Sequence, residues 1–501
     1  MDLATAHILD SGADLATEGD LPPDLTSRAA GGFLWALIGF VILQIGGFGT
    51  YALAANVLDV DDLGTVAKVL TVVFWMDVLL DLGMGAAVIH DQEKGQTLRV
   101  KVAFTVNTAL AIAASTVVLV ASPWIADFFG VPDEAWLFRL LAVSALVRGL
   151  NQVPEALMRR DLDFRRRSSV DFVRAVTRFG LAAVLLASGV GPAALVLSVV
   201  AADIAALVVT LFLTRFRPSF RFDRAEASQM LRFGASVFGA RAAGMLWLNG
   251  DYLVVGAKLD NRAYGDYFTA FRLPELVLGS FYNIFSSVAF PTYSAAREEG
   301  PERLQAAYLR SLRLLCLFGF PAGLGMSLVA RDFIDTVFSD HPGAIAPMQL
   351  LCLAGSFVAI GYASGDLFNA IGKPHLGLYF NLIGAPILIG AFLLVADDGI
   401  DAIAMVHLIV VIPYSLFRLW FANHLIGTKW GGVATALRPA VAAVIGIAVL
   451  ALPIRLMTEA GFLPGVAIAV AGAIGAVIGV FLGDRSTFGE LRELAVKAVR
   501  N

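Results

Sequence analysis

Charge and cysteine are both scarce in this chain. Asp, Glu, Lys and Arg make up 16% of its 501 residues, against about 25% in soluble domains. That deficit excludes an ordinary multidomain cytosolic enzyme. The two cysteines, Cys316 and Cys352, sit inside apolar runs, which excludes a disulfide framework and a cysteine-ligated zinc site. With a net charge of −4, the chain lacks the positive field of a nucleic-acid binder. No Lys or Arg precedes Arg28, so the basic start of a secretory signal is missing. The acidic residues before it, from Asp2 to Asp24, suggest a disordered tail or a docking peptide.

Catalytic signatures are missing as well. Gly365 and Gly372 are separated by six residues and followed by Lys373-Pro374. A phosphate-binding loop needs four, then Lys and Ser or Thr. Neither Gly-x-Ser-x-Gly nor His-Glu-x-x-His occurs. The expectation is a protein that is not an enzyme, with no catalytic residues, no cofactor and no metal.

Hydrophobicity is abundant, at 58% of residues. Crossing about 30 Å of hydrocarbon takes a helix of about 20 mostly apolar residues. Such stretches run over 31–56, 65–89, 101–121, 135–158, 169–189, 193–214, 233–257, 264–292, 306–330, 345–371, 375–396, 401–424, 436–455 and 463–483. The alternation of a membrane β-barrel is absent. The fold class is therefore an all-α polytopic membrane protein with about 14 transmembrane helices. With both termini cytoplasmic, the inner loops and flanks collect most of the positive charge, including Lys94, Arg99, Arg159, Arg160, Arg165, Arg166 and Arg167. The outer side holds only Lys68, Arg139, Lys258, Arg262, Arg331 and Arg455. This is the positive-inside bias. Two further segments read as helices on the inner surface. One covers 224–231, capped by Asp223. The other starts at a Thr487-x-x-Glu490 capping box, and it suits either the headgroup interface or solvent.

An internal repeat organises the spans. Tyr51, Leu58, Asp59 and Gly64 match Tyr252, Leu259, Asp260 and Gly265 at an offset of 201 residues, and Leu140-Leu141 echoes Leu350-Leu351 at 210. The matched blocks lie an even number of spans apart, so the halves are parallel repeats about an axis along the membrane normal. The expected domains are an acidic cytoplasmic tail (1–28), a six-helix lobe (29–214), a cytoplasmic linker with a surface helix (215–232), a second six-helix lobe (233–425), two additional helices (426–483) and an amphipathic tail (484–501).

Charged residues deep in such spans are costly unless they face a wet cavity or a partner. Arg148, Arg241 and Arg272 are the deepest arginines and the candidate cavity cations, because guanidinium groups bind phosphate in a bidentate way. Asp77, Asp81, Asp203, Asp251 and Glu275 are candidates for ion coupling or charge pairing. Asp77 and Asp81 share a helix face, and Arg272 and Glu275 are spaced to pair around Pro274, which can kink its helix. Arg174, Arg178 and Arg418 lie nearer the inner interface, where long side chains snorkel. His407 reads as a structural group or a proton carrier. The spacings Gly475/Gly479/Gly483 and Ala240/Gly244 suit close helix packing.

Several stretches resemble one family. They are Leu80-Asp-Leu-Gly-Met-Gly-Ala-Ala-Val-Ile89, Glu155-Ala-Leu-Met-Arg-Arg-Asp-Leu-Asp-Phe164, Leu231-Arg-Phe-Gly-Ala-Ser-Val-Phe-Gly239, Asp251-Tyr-Leu-Val-Val-Gly256, the Phe-Arg-Leu-Pro ending at Pro274, and Phe290-Pro-Thr-Tyr-Ser294. In order and spacing they resemble the Wzx-type flippases, the polysaccharide-transporter branch of the multidrug/oligosaccharidyl-lipid/polysaccharide (MOP) exporter superfamily. The resemblance implies two six-helix lobes in a V around a central cavity. It implies that an undecaprenyl-pyrophosphate-linked oligosaccharide moves from the inner to the outer leaflet of a bacterial cytoplasmic membrane for surface polysaccharide export. Membrane lipids, a polysaccharide polymerase and the export machinery are its implied partners. The carry-over of a pyrophosphate contact reaches Arg272 alone. The sequence departs from the family in having Gly250-Asp251 where Leu-Asp is commoner. Alternatives from the same residues are a drug or metabolite/cation antiporter using Asp77 and Asp81, a lipid II flippase, and a scaffold that transports nothing.

Overall fold

The computed structural model describes residues 23–80, 96–160 and 163–489. It is built of helices, and no strand occurs among the described residues. The first group comprises α1 (Pro23–Ala55), α2 (Val60–Leu80), α3 (Gln96–Phe128), α4 (Ala135–Arg160), α5 (Phe164–Ala187) and α6 (Ala193–Thr214). The second comprises α7 (Arg224–Lys258), α8 (Asn261–Glu299), α9 (Pro301–Val337), α10 (Ile345–Ala370), α11 (Pro374–Val395) and α12 (Ile400–Ile426). The last two helices are α13 (Trp430–Met457) and α14 (Phe462–Gly483).

Ten segments among the described residues are long and apolar enough to cross a membrane. They do not include α2, α4, α5 or α7, which carry charged residues along their lengths, among them Lys68, Arg148, Arg174, Arg178 and Asp251. Hydropathy is lowest where the interior is charged. The outward faces are apolar instead: Phe212 is 81% exposed and Leu394 86%, as suits side chains against lipid.

The repeat is visible in local geometry. Asp59 Oδ1 accepts from the Asp62 N–H at 2.8 Å and so caps α2. Its repeat mate Asp260 accepts from the Ala263 N–H at 2.8 Å and caps α8. Short 3₁₀ turns at Pro132–Glu134 and Pro342–Ala344 lead into α4 and α10, matching the second echo. In both, proline is tolerated because the first turn of a helix has no acceptor for its N–H.

Within the first group α3 packs on α4, and α5 on α1 and α6. In the second, α10 lies against α9, α12 and α8, and α7 against α11. The groups meet chiefly where α2 crosses the first half of α8, helped by α7 against α2 and α3. At that seam the repeat-related glycines face each other: a Cβ on Gly265 would lie 3.3 Å from Gly64 Cα, and one on Gly64 would collide with the Asn261 carbonyl. At Gly64 nothing larger than glycine fits, and at Gly265 a methyl would need its neighbours to give way by a few tenths of an ångström. Glycine also closes the α13–α14 hairpin. A Cβ on Gly446 would strike the Gly475 carbonyl, and one on Gly479 the Ala442 carbonyl.

Several boundaries differ from the sequence reading. The acidic tail over 1–28 lies outside the described residues up to position 22, but α1 already starts at Pro23. Residues 224–231 form the first turns of α7, because the backbone ladder continues without a break; Asp223 is the cap, accepting from Ala225 and Glu226. The last short helix is capped by Asp484, not Thr487. Asp484 accepts from the Ser486 and Thr487 N–H groups and from both hydroxyls, and Thr487 is fully buried. Glu490 lies outside the described residues. Pro274 does not break α8. The helix absorbs the missing N–H donor with a π-turn over Glu275–Gly279.

Candidate functional site

A cavity of about 350 Å³ lies between the two helix groups. α1, α2, α4, α5, α6 and α8 wall it, and three guanidinium groups enter it: Arg148 from α4, Arg178 from α5 and Arg272 from α8. Glu275 is the carboxylate in the lining, and Phe48, Tyr51, Phe74 and Phe268 supply aromatic wall.

Each arginine is held differently. Arg148 Nε lies 2.7 Å from Asp203 Oδ2, an oxygen that also accepts from the Ser144 hydroxyl. Asp203 is 3% exposed, so a carboxylate anchored in α6 orients Arg148 from behind. The same carboxylate lies 3.8 Å from Arg174 Nε, and Arg174 in turn pairs with Glu155 at 2.7 Å. Arg178 is one turn further along α5. Its Nε is buried with no hydrogen-bond partner among the described residues. Arg272 is fixed by rings. Its guanidinium carbon lies 4.1 Å from the Phe268 centroid and 5.5 Å from that of Tyr51, within cation–π range. Its Nη2 lies 3.2 Å from Glu275 Oε2 across the three-residue spacing.

The remaining sequence candidates go elsewhere. Arg241 is on an exposed position of α7 and does not line this cavity. Asp251 is 1% exposed. It sits just past a break in α7, where Asn249 has φ −136° and ψ 17°. Its carboxylate accepts from Tyr267 Oη at 2.9 Å and from its neighbour's N–H, Tyr252, at 2.9 Å. His407 Nδ1 lies 3.7 Å from it, between the rings of Phe271 and Phe392. The side chain of Asp77 and the whole of Asp81 lie outside the described residues.

Two snorkelling expectations are corrected. Arg178 points into the cavity, and Arg418 is 8% exposed within a second cavity in the α7–α12 group. The helices extend past the apolar runs that mark them. α5 begins at Phe164 and α12 ends at Ile426, which puts both arginines more than ten ångströms from the helix ends at about 1.5 Å per residue. Lys68 was counted as an outer flank cation but is 1% exposed. It donates to the Phe129 carbonyl at 2.7 Å and Asn261 Oδ1 at 2.8 Å.

Lys68 belongs to the seam that closes one end of the cavity. Asn261 Nδ2 donates to Thr65 Oγ1 at 3.0 Å there. Thr71 and Tyr264 hydroxyls meet at 2.5 Å, and those of Tyr51 and Thr269 at 2.7 Å. On the other side of Arg272 along α8, Gln44 Nε2 donates to Ser280 Oγ at 3.1 Å. Among the described residues, the cavity lies between the polar seam and this Gln44–Ser280 bridge.

The polysaccharide biosynthesis protein family matches residues 53–345. The chain is 24% identical over 376 residues to the lipopolysaccharide biosynthesis protein WzxC of Escherichia coli (strain K12), covering 74% of this chain and 75% of that protein. It is 24% identical over 470 residues to the succinoglycan biosynthesis transport protein ExoT of Rhizobium meliloti (strain 1021), covering 91% and 94%. Among solved structures, the lipid II flippase MurJ in its inward closed conformation superposes with a TM-score of 0.74 at 14% identity, over 91% of this chain and 99% of that one. The fold is that of the MOP transporters, in agreement with the resemblance read from the sequence.

Proposed function

The chain belongs to the polysaccharide biosynthesis protein family, and on that premise we propose that it is a flippase for a lipid-linked oligosaccharide. The substrate is an undecaprenyl-pyrophosphate-linked repeat unit. It crosses from the inner to the outer leaflet of a bacterial cytoplasmic membrane in which both termini face the cytoplasm. Delivery to a polymerase and export machinery follows.

The observation that carries this reading is the convergence of Arg148, Arg178 and Arg272 on one cavity. In the lining these three face Glu275; Asp203 pairs with Arg148 from behind, while Glu155 and Asp171 are taken up by Arg174 outside the cavity. A membrane-embedded cavity with surplus guanidinium groups is stabilised by an anion. A pyrophosphate offers many acceptors to planar forks that bind in pairs. The aromatic wall suits the first sugar and the isoprenoid stem. Transport then requires the α2–α8 seam to open while the Gln44 side closes, so that the arginines see each leaflet in turn.

Asp251 with Tyr267 and His407 favours a second reading, a drug or metabolite/cation antiporter, because a buried carboxylate beside a histidine can exchange a proton. A deletion strain separates the two. The flippase reading expects loss of surface polysaccharide with intact repeat units accumulating on the inner leaflet. Normal polysaccharide with altered drug tolerance would contradict it.

A further inference from the structure

The second cavity, about 270 Å³, lies inside the α7–α12 group. Trp247 of α7, Ser286 of α8, Tyr362 and Asp366 of α10, Asn381 of α11 and Arg418 of α12 contribute to its walls. Asp366 and Arg418 are 7% and 8% exposed. Asp366 Oδ1 accepts from Ser286 Oγ at 2.6 Å. Its other oxygen, Oδ2, and Arg418 Nε are both buried without a hydrogen-bond partner among the described residues. The Arg418 guanidinium sits among aromatic rings, 5.5 Å from the Phe380 centroid and 5.7 Å from that of Tyr414. Trp247 stacks on Tyr414 with centroids 3.9 Å apart, and the Tyr414 hydroxyl donates to Asn381 Oδ1 at 3.3 Å.

Ser286 meets one oxygen of Asp366 and Tyr414 meets the Arg418 guanidinium, but each group keeps one buried polar atom without a partner among the described residues, and such atoms are expensive. A small cation satisfies Asp366 but meets Arg418, and an anion meets the reverse conflict. A neutral ligand rich in hydroxyls satisfies both, since each hydroxyl donates and accepts. Its C–H faces lie well against rings. We propose that this cavity binds a sugar residue of the lipid-linked oligosaccharide.

This assignment rests on the flippase reading and deepens it. α8 carries Arg272 into the first cavity and Ser286 into the second. Fourteen residues separate them, about 21 Å along a helix at 1.5 Å per residue. With pyrophosphate at Arg272, a repeat unit of several sugars is needed to reach the second cavity, whereas the first sugar falls short. The chain thereby distinguishes a completed repeat unit from its bare carrier. The sequence had offered Gly244 as a helix-packing residue. The structure leaves it on this cavity's wall, where a Cβ would have only Asn381 Nδ2 nearby, at 3.5 Å.

The test uses the purified full-length protein in phosphatidylethanolamine/phosphatidylglycerol nanodiscs. Two probes compete for it: bare undecaprenyl pyrophosphate, and the oligosaccharide-lipid pool extracted from a strain lacking this chain. The wild type is expected to bind the oligosaccharide lipid at least tenfold more tightly. Gly361→Leu grows a side chain into the cavity from α10, where a Cβ would have Arg418 Nη1 as its nearest neighbour at 3.8 Å. Gly244→Leu fills it from α7. Each is expected to abolish the preference while leaving affinity for the bare carrier unchanged. A retained preference in either folded variant overturns the sugar site. If neither folds, Asp366→Asn decides, with loss of preference expected and retention contradicting the proposal. Sodium-dependent binding in the wild type that is lost in Asp366→Asn, with the preference intact, would make the cavity a cation site instead. Failure of the wild type to bind either lipid would overturn the flippase reading itself.

Discussion

Lys68 is the residue whose removal should most clearly unlock the seam. It is a buried ammonium with no carboxylate within ion-pair distance among the described residues, held by the Phe129 carbonyl at 2.7 Å and Asn261 Oδ1 at 2.8 Å, with the Leu259 carbonyl further off at 3.4 Å. Phe129 belongs to the first helix group, and Leu259 and Asn261 to the second group's α7–α8 turn, so the amine ties the groups together. Lys68→Met keeps the apolar stem and leaves those acceptors unpaired while the seam is closed. Water can satisfy them once it opens. A buried unsatisfied group costs about 1–3 kcal/mol, so two of them penalise the closed state by about 2–6 kcal/mol. At about 1.4 kcal/mol per decade, the open fraction rises at least about 30-fold, and up to about 20,000-fold at the upper figure. The assay is thiol labelling with an impermeant reagent at Thr65→Cys, which sits in the seam beside Asn261. Both native cysteines are fully buried and contribute no background. At reagent concentrations where the seam opens and closes many times per labelling event, the rate tracks that fraction. An unchanged rate in the double variant would refute the view that Lys68 holds the seam.

Other outcomes follow from the same packing. Asp203→Ala strips the shared carboxylate from Arg148 and Arg174 and should cost about 3–5 kcal/mol, read as a lower thermal unfolding midpoint in detergent; an unchanged midpoint would show that the pair is dispensable. Gly446→Val should separate α13 from α14 and lower protein yield, whereas Gly431→Val on the same helix, where a Cβ meets nothing within 4 Å, should not. A cysteine at Asp61 should react with an impermeant reagent from outside intact cells and one at Arg166 should not; reversed labelling would invert the proposed topology.

The fold was legible because its repeats are local. Asp59 and Asp260 stand where a helix start needs a side-chain acceptor, and Gly64 and Gly265 follow at the same distance in each half. Depth along the membrane was legible too, since charge interrupts apolar runs. The direction in which a deep residue faces was not. Arg178, Arg241 and Arg418 all sit within long helices, yet the first lines the central cavity, the second an exposed face and the third a separate cavity. Periodicity describes a helix's own faces, but which face meets which neighbour is decided by packing between distant segments. Lys68 shows the same limit. Its partners, a carbonyl at Phe129 and an amide at Asn261, arrive from chain positions 61 and 193 residues away. No spacing rule reaches them.

The central claim is that the arginine-lined cavity handles a pyrophosphate during transbilayer movement. It is tested most directly by reconstituting the protein in proteoliposomes and timing the movement of fluorescent lipid-linked oligosaccharide between leaflets. Arg272→Ala removes charge-assisted hydrogen bonds worth about 1.5–3 kcal/mol, so transport should fall tenfold or more. Arg272→Lys should recover only part, because an ammonium lacks the fork. Transport at the wild-type rate in Arg272→Ala would contradict the account.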